Sequence, residues 1–74
     1  MADAETIGAN IRAWRIKKGL TQSKLGELIG IQSRPQQQMS LWEYGHRKPK
    51  YETLMKLATV LECQVSDLLG EDIS

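Results

Sequence analysis

The sequence predicts an all-α fold, five short helices around one small core. Two observations carry this. Apolar residues recur at helical spacing along the whole chain, and no stretch alternates with period two. Glycines and helix-capping residues then divide that pattern into short segments. With 74 residues the chain reads as one domain, core about 6–69, near the lower limit of what folds without staples.

Helix 1 is expected over 6–18. Ile7, Ile11 and Trp14 follow i, i+4, i+7, Thr6 is a candidate N-cap, and Gly19 follows Lys17 and Lys18, whose charges suit a helix C-terminus. Helix 2 is expected over 22–29: Thr21 can cap it, Leu25, Leu28 and Ile29 repeat at helical spacing, and Gly30 can end it in a left-handed conformation. Ser33-Arg34-Pro35-Gln36 reads as a capping box for helix 3, over 34–44, with Met39 and Trp42 inward and Gly45 as its stop. Pro49 lies in a basic loop, 46–50. Leu54, Leu57, Ala58 and Leu61 mark helix 4, over 51–61, and Val65, Leu68 and Leu69 a last helix over 65–69.

Composition excludes several classes. The single cysteine, Cys63, rules out an internal disulfide, and with one histidine, His46, no four-ligand N/S metal site can be assembled. No apolar run is long enough for a membrane span or a signal-peptide core. The cytoplasm, at the nucleoid, is the expected location. An enzyme is not expected: no nucleophile–base pair, paired carboxylates or Gly-rich phosphate loop occurs, so no catalytic residue, cofactor or small-molecule ligand is assigned. Cys63 and the two tryptophans, Trp14 and Trp42, read as core residues.

The net charge of +1 hides a division. All ten lysines and arginines lie between Arg12 and Lys56, with only Glu27, Glu43 and Glu52 among them, a local net of +7, while both ends are acidic. On charge alone this fits a polyanion-binding face and a solvated surface equally.

The ordered set of residues is more specific. Gly19-Leu20-Thr21-Gln22 is followed by Leu25, Gly26 and Gly30, then Met39-Ser40, Trp42-Glu43 and Gly45, then Pro49, Thr53-Leu54, Lys56-Leu57-Ala58, Leu61, Val65 and Leu68-Leu69. From about Ile7 to Leu69 this closely resembles the phage-repressor and Cro (XRE-type) family of helix-turn-helix DNA-binding domains. The resemblance implies the compact lambda-repressor-like arrangement, with helices 2 and 3 as the helix-turn-helix. Gly26 then stands where those helices approach closely. Arg15 and Glu43 match a pair that forms a buried salt bridge in some members, joining helix 1 to helix 3. One departure is plain. Met39 follows Gly30 by nine positions, against about six in most members, so three extra residues lie within 31–35. They are placed in the turn, which leaves the relative tilt of helices 2 and 3 open and would hold Arg34 near the DNA backbone.

The resemblance also implies an interface. Helix 3 would present Gln36, Gln37, Ser40, Leu41 and Tyr44 outward, and its first turn would point at base edges. Glutamine can pair with adenine N6 and N7 in a bidentate fashion, and Leu41 offers an apolar contact to a thymine methyl. Without the motif, the glutamine run reads as a polar solvent face. Gln38 turns partly inward and ranks lower. Gln22, Lys24, Arg34, Arg47, Lys48 and Lys50 are candidate phosphate contacts, which add affinity but no sequence code.

The expected function is a transcriptional regulator that binds double-stranded DNA, probing a pseudo-palindromic operator as a homodimer. With little chain after helix 5, the expected dimer patch is Leu68, Leu69 and Ile73. The alternative is a protein-interaction module on the same fold, an antitoxin that masks a toxin or a coactivator-like bridge, which the lengthened turn would favour.

Overall fold

The computed structural model describes residues 3–70. Five helices follow in order: α1 (Ala4–Lys17), α2 (Gln22–Leu28), α3 (Pro35–Glu43), α4 (Tyr51–Leu61) and α5 (Val65–Leu69). There is no strand among the described residues. Each inward stripe meets at one core: Ile7 and Ile11 of α1, Leu25 of α2, Met39 of α3, Leu57 and Leu61 of α4 and Leu68 of α5 are fully or almost fully enclosed.

The helix ends show where local chemistry decides. α1 begins two residues before the expected start, because Asp3, and not Thr6, is its N-cap. The Asp3 carboxylate accepts the Thr6 backbone N–H at 2.7 Å. Three glycine stops work as expected. Gly19 (φ 70°), Gly30 (φ 94°) and Gly45 (φ 77°) take the left-handed conformation. The next residue's N–H then reaches back, Leu20 to the Arg15 carbonyl at 3.1 Å, Ile31 to the Gly26 carbonyl at 3.0 Å and His46 to the Leu41 carbonyl at 2.9 Å. Thr21 caps α2, accepting the Lys24 N–H at 3.0 Å.

The expected capping box of α3 does not form. Arg34, and not Ser33, is the N-cap, with no side-chain hydrogen bond, and the helix starts at Pro35. A Ser33 cap would have put Arg34 in the helical region directly before a proline. There the proline ring clashes with the preceding residue. Arg34 escapes into the left-handed region instead, φ 52° and ψ 54°. A box of the same kind appears at α5, where the Asp67 carboxylate accepts the Gln64 N–H at 2.8 Å.

Three contacts place α3. Gly26 of α2 meets Pro35 so closely that a Cβ on it would stand 2.6 Å from the Pro35 Cβ. Gly8 of α1 lies against the end of α3, where a Cβ would collide with the Trp42 carbonyl oxygen and stand 2.6 Å from that of Glu43. Third, Arg15 of α1 grips Glu43. The connection 29–34 joins α2 to α3, and Ile31 anchors it by packing against the core.

Leu68 corrects the expected dimer patch. Its side chain is fully buried, and its carbonyl accepts the Asn10 amide at 3.1 Å, tying α5 to α1. Leu69 is half-buried, and Ile73 lies outside the described residues. Trp42 is a core residue as expected, but Trp14 is only half-buried, with the Lys17 ammonium 4.7 Å from its ring centroid. Cys63 packs half-buried at the core's edge, and burial pushes its thiol pKa up.

Candidate nucleic-acid interface

The placement of α3 turns Met39 and Trp42 into the core and leaves the opposite side of the helix to solvent. Gln36, Gln37 and Tyr44 are exposed on it, and Ser40 and Leu41 are half-buried. The expected base-reading residues are thus brought together. Gln36, Gln37, Ser40 and Leu41 line one shallow hollow with Arg34. A neighbouring hollow is lined by Ser33, Arg34, Gln37, Gln38 and Leu41. Leu41 is less exposed than its expected role as an apolar contact suggested, yet it borders both hollows.

The cations of the loop after α3 gather in a separate cleft. Arg47, Lys48 and Lys50 line it with Thr53 at the start of α4 and with Gln38 and Trp42 of α3. Pro49 is buried and pins the loop, while the three basic residues around it are exposed. Among the described residues, no carboxylate lies within ion-pair distance of Arg34, Arg47, Lys48 or Lys50; the ion pairs there are Arg15–Glu43 and Lys18–Glu62. Lys50 is also the N-cap of α4 and provides no side-chain cap, so the first-turn N–H groups add unmatched donors beside these charges. Three exposed cations, none in an ion pair among the described residues, stand next to a helix start, an arrangement that suits a bound anion.

Gln22 sits differently from expectation. Its amide donates inward to Glu43 Oε1 at 3.2 Å, and the side chain is half-buried. One of its two amide N–H bonds is therefore committed to the Arg15–Glu43 pair, and the other remains. The arrangement fixes the Gln22 rotamer at the first turn of α2. Lys24 is exposed on α2 and lines neither the hollows nor the cleft. Gln38, given low rank from the sequence, stands at the seam between the α3 hollows and the basic cleft, lining both sides. Helical phase alone placed it partly inward; only the position of the loop after α3 opens its other side.

Lys48 is close enough to the N-terminus of α1 to act on Asp3. The Thr6 N–H bonds hold the Asp3 carboxyl below its ordinary range, and the Lys48 charge adds to this. Tyr44 and His46 stand with ring centroids 6.5 Å apart. Among the described residues there is no cluster of three or more potential metal ligands and no helix long and apolar enough to cross a membrane.

Comparison with known proteins gives the same architecture. A family model described as helix-turn-helix matches residues 11–68. The repressor protein C2 of Salmonella phage P22 is 32% identical over 72 residues, covering 97% of this chain and 32% of the relative. The chain thus spans about a third of the length of that curated relative. The crystal structure of the P22 c2 repressor in complex with synthetic operator 9T superposes with a TM-score of 0.78 at 33% identity, covering 89% of this chain and 96% of that one. The restriction-modification controller protein C.AhdI from Aeromonas hydrophila gives 0.78 at 29% identity, with 88% and 94% covered. The clp gene regulator ClgR from C. glutamicum gives 0.79 at 26% identity, with 96% and 95% covered.

Proposed function

The chain belongs to the helix-turn-helix family, and from that premise we propose that it is a transcriptional regulator that binds double-stranded DNA sequence-specifically. The observation that carries this reading is the division of labour on one surface. α3 presents amide, hydroxyl and apolar side chains in two open hollows, and the loop behind it holds Arg47, Lys48 and Lys50 outside any ion pair among the described residues. Neutral hydrogen-bonding groups on a protruding helix suit base edges in the major groove, and unpaired cations flanking it suit the phosphates. The structural relative solved with its operator supports the same use of the fold.

In this reading Gln36, Gln37, Ser40 and Leu41 face base edges. Arg47, Lys48 and Lys50 set affinity, and the remaining Gln22 N–H and the first turn of α2 contribute a phosphate contact. The protein acts as a homodimer on two half-sites about one helical turn apart, with Leu69 at the partner surface, and works in the cytoplasm on the nucleoid.

Selection from a random duplex library at near-physiological salt tests this. An enriched pseudo-palindrome establishes sequence-specific binding by a two-fold dimer and gives the half-site spacing. An enriched site without symmetry keeps the reading of α3 and removes the dimer. A library that stays random, with folded protein, removes DNA recognition and turns the search to a protein partner for the same surface.

A further inference from the structure

Arg34 differs from the other cations of the interface in conformation and in company. It is one of two non-glycine residues at positive φ among the described residues, the other being Glu62 at the end of α4; Gly19, Gly30, Gly45 and Gly70 hold the remaining such positions. An L-residue is strained in that conformation by its Cβ, and glycine would fill the backbone role before Pro35 without that strain. The side chain contributes nothing in return to the fold. It is exposed, it makes no cap for α3, and among the described residues it has no ion-pair partner. Strain held at an exposed position with a free functional group is a pattern found where that group meets a ligand.

Its company points to which ligand. Arg34, Gln37 and Leu41 together border both hollows on the outer side of α3. Arg47, Lys48 and Lys50 line a different cleft, which Arg34 does not enter. Of these four cations, Arg34 is the one standing among the groups that face base edges. A phosphate contact needs only a point charge, which any of the loop lysines supplies. A planar fork of donors beside a row of amides suits a base edge with two acceptors.

We propose that Arg34 is a base-reading, specificity-determining residue that donates two N–H bonds to O6 and N7 of a guanine in the major groove, next to the base pair addressed by Gln37. This replaces the expected backbone contact and rests on the reading of α3 as a major-groove helix. The extra residues of the 29–34 connection acquire a use in it: they bring an arginine to the front of α3 through a left-handed N-cap.

The test repeats the random-duplex selection with wild type, Arg34→Ala, Arg34→Lys and Arg34→Gly. Each protein is then titrated on the selected and a scrambled duplex over a range of salt. The wild-type motif is expected to hold a fixed G·C pair in each half-site. Arg34→Ala should lose preference at that pair alone, binding the selected duplex tenfold or more weaker while changing little on the scrambled one. Arg34→Lys should keep scrambled binding and the salt slope yet discriminate less at that pair. Arg34→Gly should melt at or above the wild type with the same loss of discrimination, which separates it from misfolding. Equal losses on both duplexes with a salt slope smaller by about one identify a phosphate contact and overturn the proposal, as does a G·C preference unchanged in all three variants. A wild type that selects no motif overturns the reading of α3 itself, and this proposal with it.

Discussion

Arg15 holds Glu43 at both carboxylate oxygens, Nε to Oε2 at 2.7 Å and Nη2 to Oε1 at 3.0 Å, across the junction of α1 and α3. The Glu43 side chain is 1% exposed and that of Arg15 13%. Nη1 of the same guanidinium donates to the Leu20 carbonyl at 2.8 Å, and the Gln22 amide closes on Glu43. One charge pair thus fixes the end of α3, the α1–α2 turn and the first turn of α2.

Removing either partner leaves the other charge buried and unmatched, which costs about 3–5 kcal/mol. That is a large share of the roughly 4–11 kcal/mol available to a chain of this size. Glu43→Ala and Arg15→Ala are each expected to be largely unfolded near physiological temperature. The double replacement Arg15→Met/Glu43→Leu should be more stable than either, because it leaves no buried unpaired charge, although the Leu20 carbonyl and one Gln22 N–H lose their partners. Urea denaturation measures all three. A single-variant loss below about 1 kcal/mol would mean that the pair behaves as a solvated one.

The two close approaches set α3 against its neighbours more rigidly than any side chain. Ala gains about 1 kcal/mol over Gly in a helix, so an exposed glycine would give a small stabilisation on replacement. Gly8→Ala is expected to do the reverse and lower stability by about 3 kcal/mol, because its Cβ meets main-chain oxygens that cannot rotate away. Gly26→Ala should lose less, since its Cβ meets the Pro35 main-chain oxygen less closely, at 2.9 Å, but it should also weaken DNA binding by shifting α3. Thermal melting checks the order. A Gly8→Ala variant as stable as wild type removes the close approach.

These residues also show what a sequence discloses. Gly26 was legible because its motif carries a known role, and Arg15–Glu43 because both partners stand at matching positions of the family pattern. Gly8 gave no signal: a glycine one turn into a helix looks like an ordinary weak position until the end of α3 is laid against it. The helices themselves were legible from period and glycine stops. Two caps were not, because Asp3 and Thr6, or Ser33 and Arg34, are decided by one hydrogen bond or one proline ring. Leu68 had the composition of an interface and the burial of a core residue, and periodicity cannot separate these on a five-residue helix. The sorting of Arg34 from Arg47, Lys48 and Lys50 depends on which concavity each lines, which no linear pattern records.

The Asp3 cap predicts an acid effect with a defined sign. The Thr6 N–H lowers the Asp3 pKa below its ordinary 3.8 in the folded state, and Lys48 assists. A depressed pKa stabilises the fold above the unfolded value, and this contribution disappears as pH falls through the folded pKa. Asp3→Asn keeps a capping oxygen without the titration. The two proteins are therefore expected to differ most near neutral pH and to converge once the pH has fallen below the depressed folded-state pKa of Asp3. Denaturation curves at several pH values check this; a difference that grows on acidification contradicts it.

Lys48 and Lys50 are assigned to phosphates, so their loss should act through counterions. Each of Lys48→Ala and Lys50→Ala is expected to weaken binding on all duplexes by a similar factor. Each should also reduce the slope of log affinity against log salt by about one. Melting temperatures should stay near wild type, since both side chains are exposed. Binding isotherms at three salt concentrations decide it, and an unchanged slope removes that residue from the backbone contacts.

Gln36 and Gln37 lie at the exposed first turn of α3 and line the hollow shared with Ser40 and Leu41. Each amide can both donate and accept, so a matched base satisfies it and a mismatched one leaves a desolvated group unpaired. Gln37→Ala is expected to cost about 1–3 kcal/mol of discrimination at one base pair, while binding to random DNA and the salt slope stay nearly unchanged. Gln36→Ala should act at a neighbouring pair, and the two losses should add if the contacts are independent. Competition titrations with single-pair variants of the selected duplex measure this directly. Equal losses on selected and random duplexes would return both glutamines to the solvated face that the sequence, without its motif, first suggests.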